Sequence, residues 1–220
     1  MIADTHEARC AFIAANTRLQ RPPHTPELQL HLADEITPIW KLTEEALAEI
    51  GLPPPFWAFA WAGGQALARY LLDHPEVVAG RRVLDFASGS GIVGVAAMMA
   101  GAAEVSCADI DPFCGAALAL NAEANGVACG FLGEDLLEAP PSAWAEVILA
   151  GDICYEKPLA ERVMAWLKQA RAQGATVMIG DPGRSYFPRT GLTRLAEYQV
   201  PTTRELEDMA VKKTAVWALP

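Results

Sequence analysis

From residue 56 onward the apolar positions alternate between two patterns. Arg81 to Phe86, Glu104 to Ala108, Val127 to Leu132, Glu146 to Ala150 and Ala175 to Ile179 are short apolar runs with the length of buried strands. Gln65 to Leu72, Gly91 to Ala100, Phe113 to Asn125 and Leu159 to Arg171 lie before and between them and read as helices. Gly126 is a natural stop for the third helix, and Lys168 and Arg171 suit the dipole at the end of the fourth. Thr193 to Val200 and Thr214 to Leu219 follow as two strands with no room for a long helix between them. Successive strand–helix units predict a parallel sheet with helices on both faces. The last two strands predict an antiparallel hairpin at one edge. The expected architecture is an open, doubly wound α/β sheet.

Upstream the pattern is looser. Ile2, Cys10, Phe12, Ile13 and Leu19 suggest a helix ending at Pro22-Pro23, and Leu28 to Leu32 alternates like a short strand or extended segment. Trp40 to Ile50 reads as a helix stopped by Gly51 and the run Pro53-Pro54-Pro55. The expected division is an N-terminal helical extension over 1–55 and a main domain over 56–220.

Composition narrows the function. A chain of 220 residues, 52% hydrophobic, is long enough to bury roughly 70% of its unfolded surface without disulfides or metals. The formal net charge of −10 argues against a nucleic-acid partner, because an acidic surface repels phosphates. It either favours a cationic substrate or only solubilises the surface. The five cysteines include no CxxC pair and the four histidines no HxH or HExxH spacing, so no metal site is readable and a reducing compartment is expected. The longest apolar run, Gly91 to Ala103, has 13 residues against the roughly 20 that span a bilayer. Asp4 and Glu7 do not suit a secretory signal or a mitochondrial presequence. The expectation is a cytoplasmic protein.

The chemistry is concentrated where strands end. Val83 to Gly94 runs from a strand through a glycine-containing turn into a helix, and Gly89-x-Gly91-x-x-Gly94 matches a dinucleotide fingerprint. Asp85 separates the two ligands such a turn can take. A carboxylate at the strand tip repels a pyrophosphate and pairs well with an ammonium. S-adenosyl-L-methionine has an amino group there and no phosphate, so the turn, with Ala87, Ser88, Gly89 and Gly91 at its backbone, fits the methyl donor better. Asp109, ending the next strand 18 residues after Gly91, is placed to accept both ribose hydroxyls, with Ile110 beside it. Asp111 before Pro112 is expected to cap a helix. Asp135 either meets an adenine amino group or is a loop acid.

Gly151 to Glu156 leaves the fourth strand, where open α/β sheets bind ligands. Asp152 and Tyr155 are therefore expected at the reactive end of the cofactor. Trp57 and Trp61 either wall the pocket or belong to the core. Asp181-Pro-Gly-Arg184 either shapes the substrate channel or makes a turn.

Taken in order, these segments resemble the seven-strand methyltransferases, and within them the lysine-modifying family whose fourth strand ends in D-x-x-Y, matched by Asp152 and Tyr155. The closer likeness is to the electron transfer flavoprotein beta-subunit lysine methyltransferases. It is carried by Phe56 to Tyr70, Val83 to Gly91, Ala108 to Pro112, Gly151 to Glu156, Ile179 to Arg184 and Thr214 to Trp217. The resemblance implies a Rossmann-like seven-stranded methyltransferase sheet, S-adenosyl-L-methionine as methyl donor with S-adenosyl-L-homocysteine as product, and a protein lysine as acceptor. The implied partner is the electron transfer flavoprotein beta subunit, with a ribosomal protein or a small molecule as the alternative. An Ala-rich composition points to a bacterial member, expected to be a monomer. Ala87 stands where such loops have their first glycine, which is tolerable if φ stays negative. A lysine must be neutral to attack, although its ordinary pKa is about 10.4. Asp152 would attract the ammonium and raise that value, so it is expected to capture and orient the substrate while water takes the proton. Tyr155 would hold the amine by its hydroxyl or offer its ring face.

Overall fold

The computed structural model describes residues 5–34, 39, 54–202 and 209–220. The helix expected over Trp40 to Ile50 lies outside the described residues. The elements are α1 (His6–Asn16), β1 (Arg18–Gln20), β2 (Leu30–Leu32), α2 (Ala62–Asp73), β3 (Arg82–Phe86), α3 (Ile92–Met99), β4 (Glu104–Ala108), α4 (Pro112–Ala124), β5 (Gly130–Leu132), β6 (Val147–Gly151), α5 (Lys157–Ala172), β7 (Thr176–Asp181), β8 (Thr193–Pro201) and β9 (Val211–Ala218).

Seven strands form one sheet in the order β5-β4-β3-β6-β7-β9-β8. The first five run parallel. β9 pairs antiparallel with both β7 and β8, the C-terminal hairpin that the sequence predicts. The chain turns outward in both directions from β3, so its switch point lies between β3 and β6, and their exits open side by side.

Helices cover both faces because the strands are apolar on both sides. On one face Leu67 and Leu71 of α2, Ile92 and Val95 of α3 and Leu118 of α4 meet Val83, Val105 and Leu149. On the other, Val163, Met164 and Leu167 of α5 pack on Leu84, Ile148, Val177 and Ile179. Upstream, α1 lies on α4, where Ile13 shares an apolar cluster with Phe113, Ala116 and Ala117. β1 and β2 form a separate antiparallel ribbon. Asn121 of α4 and its C-cap Asn125 tie it down by accepting the His31 and Gln29 N–H groups at 2.7 and 2.9 Å. Among the described residues no helix is long and apolar enough to cross a membrane.

Two glycines decide how close α2 comes to the sheet. A β-carbon on Gly63 would collide with the Gly180 carbonyl, and one on Gly180 with that of Gly63. The first turn of α2 therefore rests directly on the end of β7, and its free N–H groups point at the exit of β6.

Candidate active site

The turn after β3 is wound by left-handed residues, with φ of 54° at Ala87, 52° at Gly89 and 75° at Gly91. Gly91 ends the turn as the N-cap of α3, and a β-carbon there would run into the Leu118 side chain. The expectation of a negative φ at Ala87 is corrected. The turn needs a left-handed residue after the strand, and Ala87 takes that conformation at a cost of about 1–2 kcal/mol. Asp109 holds the turn from the neighbouring strand end. Its Oδ2 accepts the Gly89 N–H at 3.0 Å and its Oδ1 the Asp111 N–H at 3.1 Å. Asp111 caps α4 through the Phe113 N–H, ahead of Pro112 at the first turn.

Asp85 is placed differently from the expectation of a strand-tip carboxylate facing a ligand ammonium. It is 1% exposed. Its Oδ2 accepts the Gly94 N–H at 2.9 Å and lies 3.9 Å from the Cys107 thiol. The α3 amides left unpaired at the helix start draw the carboxylate inward. Burial, reinforced by the charge of Asp109, pushes its pKa up to about 7 against the Gly94 hydrogen bond. Trp57 is a second correction. It does not wall a pocket: it is 2% exposed and stacks on Phe113 at 5.6 Å and 14° inside the cluster under α1.

At the exit of β6, Asp152 adopts a left-handed φ of 56°, a conformation that Asp tolerates better than most residues. Its own N–H donates to the Gly180 carbonyl at 3.0 Å. Oδ2 accepts the N–H groups of Gly63 and Gly64 at 2.5 and 3.1 Å. Oδ1 accepts Nε and Nη2 of Arg184 at 3.0 and 2.6 Å. The expected picture of a carboxylate awaiting a substrate ammonium is corrected here, because its charge is already matched by a guanidinium and a helix N-terminus.

Arg184 is held by the turn that follows β7. Asp181 Oδ1 accepts the N–H groups of Gly183 and Arg184 at 2.6 and 2.8 Å. Asp181 is 2% exposed and its Oδ2 has no hydrogen-bond partner among the described residues. Burial pushes its pKa up to about 7, opposed by the Arg184 and Gly183 hydrogen bonds and aided by the charge of Asp152. The Arg184 guanidinium also lies over the Trp61 ring, 5.7 Å from its centroid. Trp61 thus stands at the Asp152 end of the site.

An aromatic rim joins the two halves. Phe56, 46% exposed, lies 5.9 Å from Trp61 and 5.8 Å from Tyr155. Its carbonyl accepts the Trp61 indole N–H at 3.0 Å and would lie 3.7 Å from a β-carbon on Gly89. Tyr155 is 45% exposed, and burial together with Glu156 and Asp109 raises its phenol pKa. Ile110 is 72% exposed beside Asp109. Asp135 caps a short turn, Oδ1 accepting the Leu137 N–H at 2.9 Å, with Oδ2 3.6 Å from Arg162. Sequence reasoning gives Phe56 no role and places Arg184 only in a loop that either shapes the substrate channel or makes a turn; its pairing with Asp152 is not foreseen. The aromatic segment and the GDPGR segment carry the available signal, but Tyr155 lies far from Phe56 along the chain and Asp152 far from Arg184.

The methyl-donor pocket can be tested on this geometry. Ser88 Oγ is buried in the turn without a hydrogen-bond partner among the described residues, two glycines leave the backbone open, and each Asp109 oxygen retains acceptor capacity. These groups fit a ligand carrying an amino acid and a nucleoside.

Comparison with known proteins agrees in family. Residues 65–180 match the family model described as ribosomal protein L11 methyltransferase (PrmA). The chain is 37% identical over 214 residues to the electron transfer flavoprotein beta subunit lysine methyltransferase of Xenopus laevis, covering 94% of this chain and 85% of the relative. It is 38% identical to the Homo sapiens protein of that name, covering 94% and 80%. The fold is similar to that of magnesium protoporphyrin IX methyltransferase from Synechocystis PCC 6803, solved with bound SAM, at a TM-score of 0.51 and 15% identity over 71% of this chain and 78% of that one. At that identity over nearly its whole length, the chain belongs to the electron transfer flavoprotein beta subunit lysine methyltransferase family.

Proposed function

We propose that this protein transfers methyl groups from S-adenosyl-L-methionine to lysine side chains of the electron transfer flavoprotein beta subunit. The observation that carries the substrate is the 37–38% identity over 94% of the chain to relatives bearing that name, in a chain that also assembles Asp152, Tyr155 and Trp61 around one strand exit. The cofactor, when bound, supplies an electrophilic methyl group whose bond to sulfur breaks as the amine nitrogen attacks, the bonding pair staying on sulfur.

The rest falls to this chain's residues. Asp109 would hold the ribose hydroxyls, the Ala87–Gly91 turn would face the amino-acid end, Ile110 would cover the base, and Asp135 would meet the adenine amino group. Asp85 anchors the start of α3 through Gly94 and acts on the ligand through that turn. Tyr155, Phe56 and Trp61 form an apolar, π-rich rim that receives a lysine stem and its cationic head. The enzyme's work is positioning and charge arrangement rather than covalent chemistry. The five free cysteines favour a reducing compartment, and the cytoplasm is the one proposed.

The test is transfer of label from methyl-labelled S-adenosyl-L-methionine to purified electron transfer flavoprotein, run beside ribosomal protein L11. Label in the beta subunit supports the proposal. Label in L11 alone would assign the chain to the alternative substrate.

A further inference from the structure

We propose that Arg184 is a positioning residue that cancels the charge of Asp152, so that the carboxylate at the end of β6 does not hold a substrate amine protonated. The proposal rests on the lysine-methylation reading above and deepens it.

The geometry carries it. A carboxylate offers about four lone-pair sites, and among the described residues Asp152 accepts four hydrogen bonds, two from the Gly63 and Gly64 amides and two from Arg184. The pair is well shielded, with side-chain exposures of 20% for Arg184 and 10% for Asp152. Arg184 is fixed from three directions: its N–H on Asp181, its carbonyl accepting the Phe187 N–H at 3.0 Å, and its guanidinium over Trp61. Gly183, at φ 87°, gives the turn the bend that sends the side chain back to β6.

A lone carboxylate within 4–6 Å of an amine stabilises the ammonium and raises its pKa by about 1–3 units. That would oppose the chemistry, which needs the free amine. The guanidinium removes this penalty while the tip of β6 stays anchored to α2. Other titratable groups face the same space from each neighbouring element. Cys154, pushed up to about 12 mainly by burial, and Tyr155, raised by burial, are neutral. Glu156 and Asp109 act on Tyr155 from the rim. Asp181 accepts the Arg184 backbone N–H and feels the charge of Asp152, and the start of α2 presents its first amides beside Trp61, its N-cap.

The experiment is the pH dependence of kcat, which reports the enzyme–substrate complex, for the full chain acting on electron transfer flavoprotein. The variants are Arg184→Gln, Arg184→Lys and the double variant Asp152→Asn/Arg184→Gln. Arg184→Gln should move the rising limb to higher pH by about 1–2 units, costing about tenfold or more near neutrality and recovering above about pH 9.5. Arg184→Lys should keep the limb near its original place. The double variant, which removes both charges, should bring it back, and Arg184→Met, of similar length and uncharged, should show the same shift if Arg184→Gln fails to fold. Superimposable limbs for wild type and Arg184→Gln, or a loss equal at every pH, would overturn the inference alone. Absence of lysine methylation by the wild-type protein at every pH would overturn the functional reading and the inference together.

Discussion

Gly63 on α2 and Gly180 on β7 touch backbone to backbone, each occupying the space a β-carbon on the other would need. That contact sets the height of α2 over the sheet and brings its first amides to the Asp152 carboxylate. Gly63→Ala would also press on Asp152 Oδ2. It should lower stability by roughly 2–3 kcal/mol through overpacking, visible as a lower urea midpoint, and reduce turnover by loosening Asp152 and Arg184 together.

Asp85 carries a pH signature. Its folded pKa of about 7 lies above the unfolded value of about 3.9. Between these values the folded state holds a proton that the unfolded state has lost, so stability falls as pH rises through this window and the full cost is present above it. Asp85→Asn keeps an acceptor for the Gly94 N–H without the buried charge. It should stabilise the protein by on the order of 2 kcal/mol at pH 8 and by little at pH 4, measured by chemical denaturation at both.

Ala87 stores strain that glycine would release. The left-handed conformation at φ 54° costs an L-residue about 1–2 kcal/mol, while glycine gives back about 0.5–1 kcal/mol through the entropy of the unfolded chain. Ala87→Gly should therefore raise stability by roughly 0.5 kcal/mol at an unchanged denaturant slope. A loss of stability would show that the Ala87 methyl makes a compensating contact.

Asp109 joins the glycine turn to the proposed ribose site. Asp109→Asn keeps one acceptor and removes the charge. It should weaken S-adenosyl-L-methionine binding by about tenfold or more, measured by calorimetry. Unchanged affinity would remove Asp109 from the ribose.

How much of this was legible depends on the reach of each interaction. The strands, the parallel order with its terminal hairpin, and the helix cap at Asp111 are set by local periodicity or adjacent residues, and the sequence shows them. The turn at Gly89–Gly91 was equally local. Trp57 was not, because its burial depends on Phe113 and Ile13, brought together only by the fold. The inward turn of Asp85 depends on the Gly94 amide and Cys107 across the sheet. The partnership of Asp152 with Arg184 spans 32 residues and two strand exits, and no spacing rule encodes it. Ala87 shows the opposite failure: its position was visible, but its φ follows from the turn as a whole.

The most direct test of the central claim is mass spectrometry of electron transfer flavoprotein after incubation with S-adenosyl-L-methionine and either the wild-type protein or Asp152→Ala. Methyl groups confined to beta-subunit lysines, present with wild type and lost with Asp152→Ala while donor binding persists, are the predicted result. An unmodified beta subunit, in the presence of a wild-type protein that binds the donor, would contradict it.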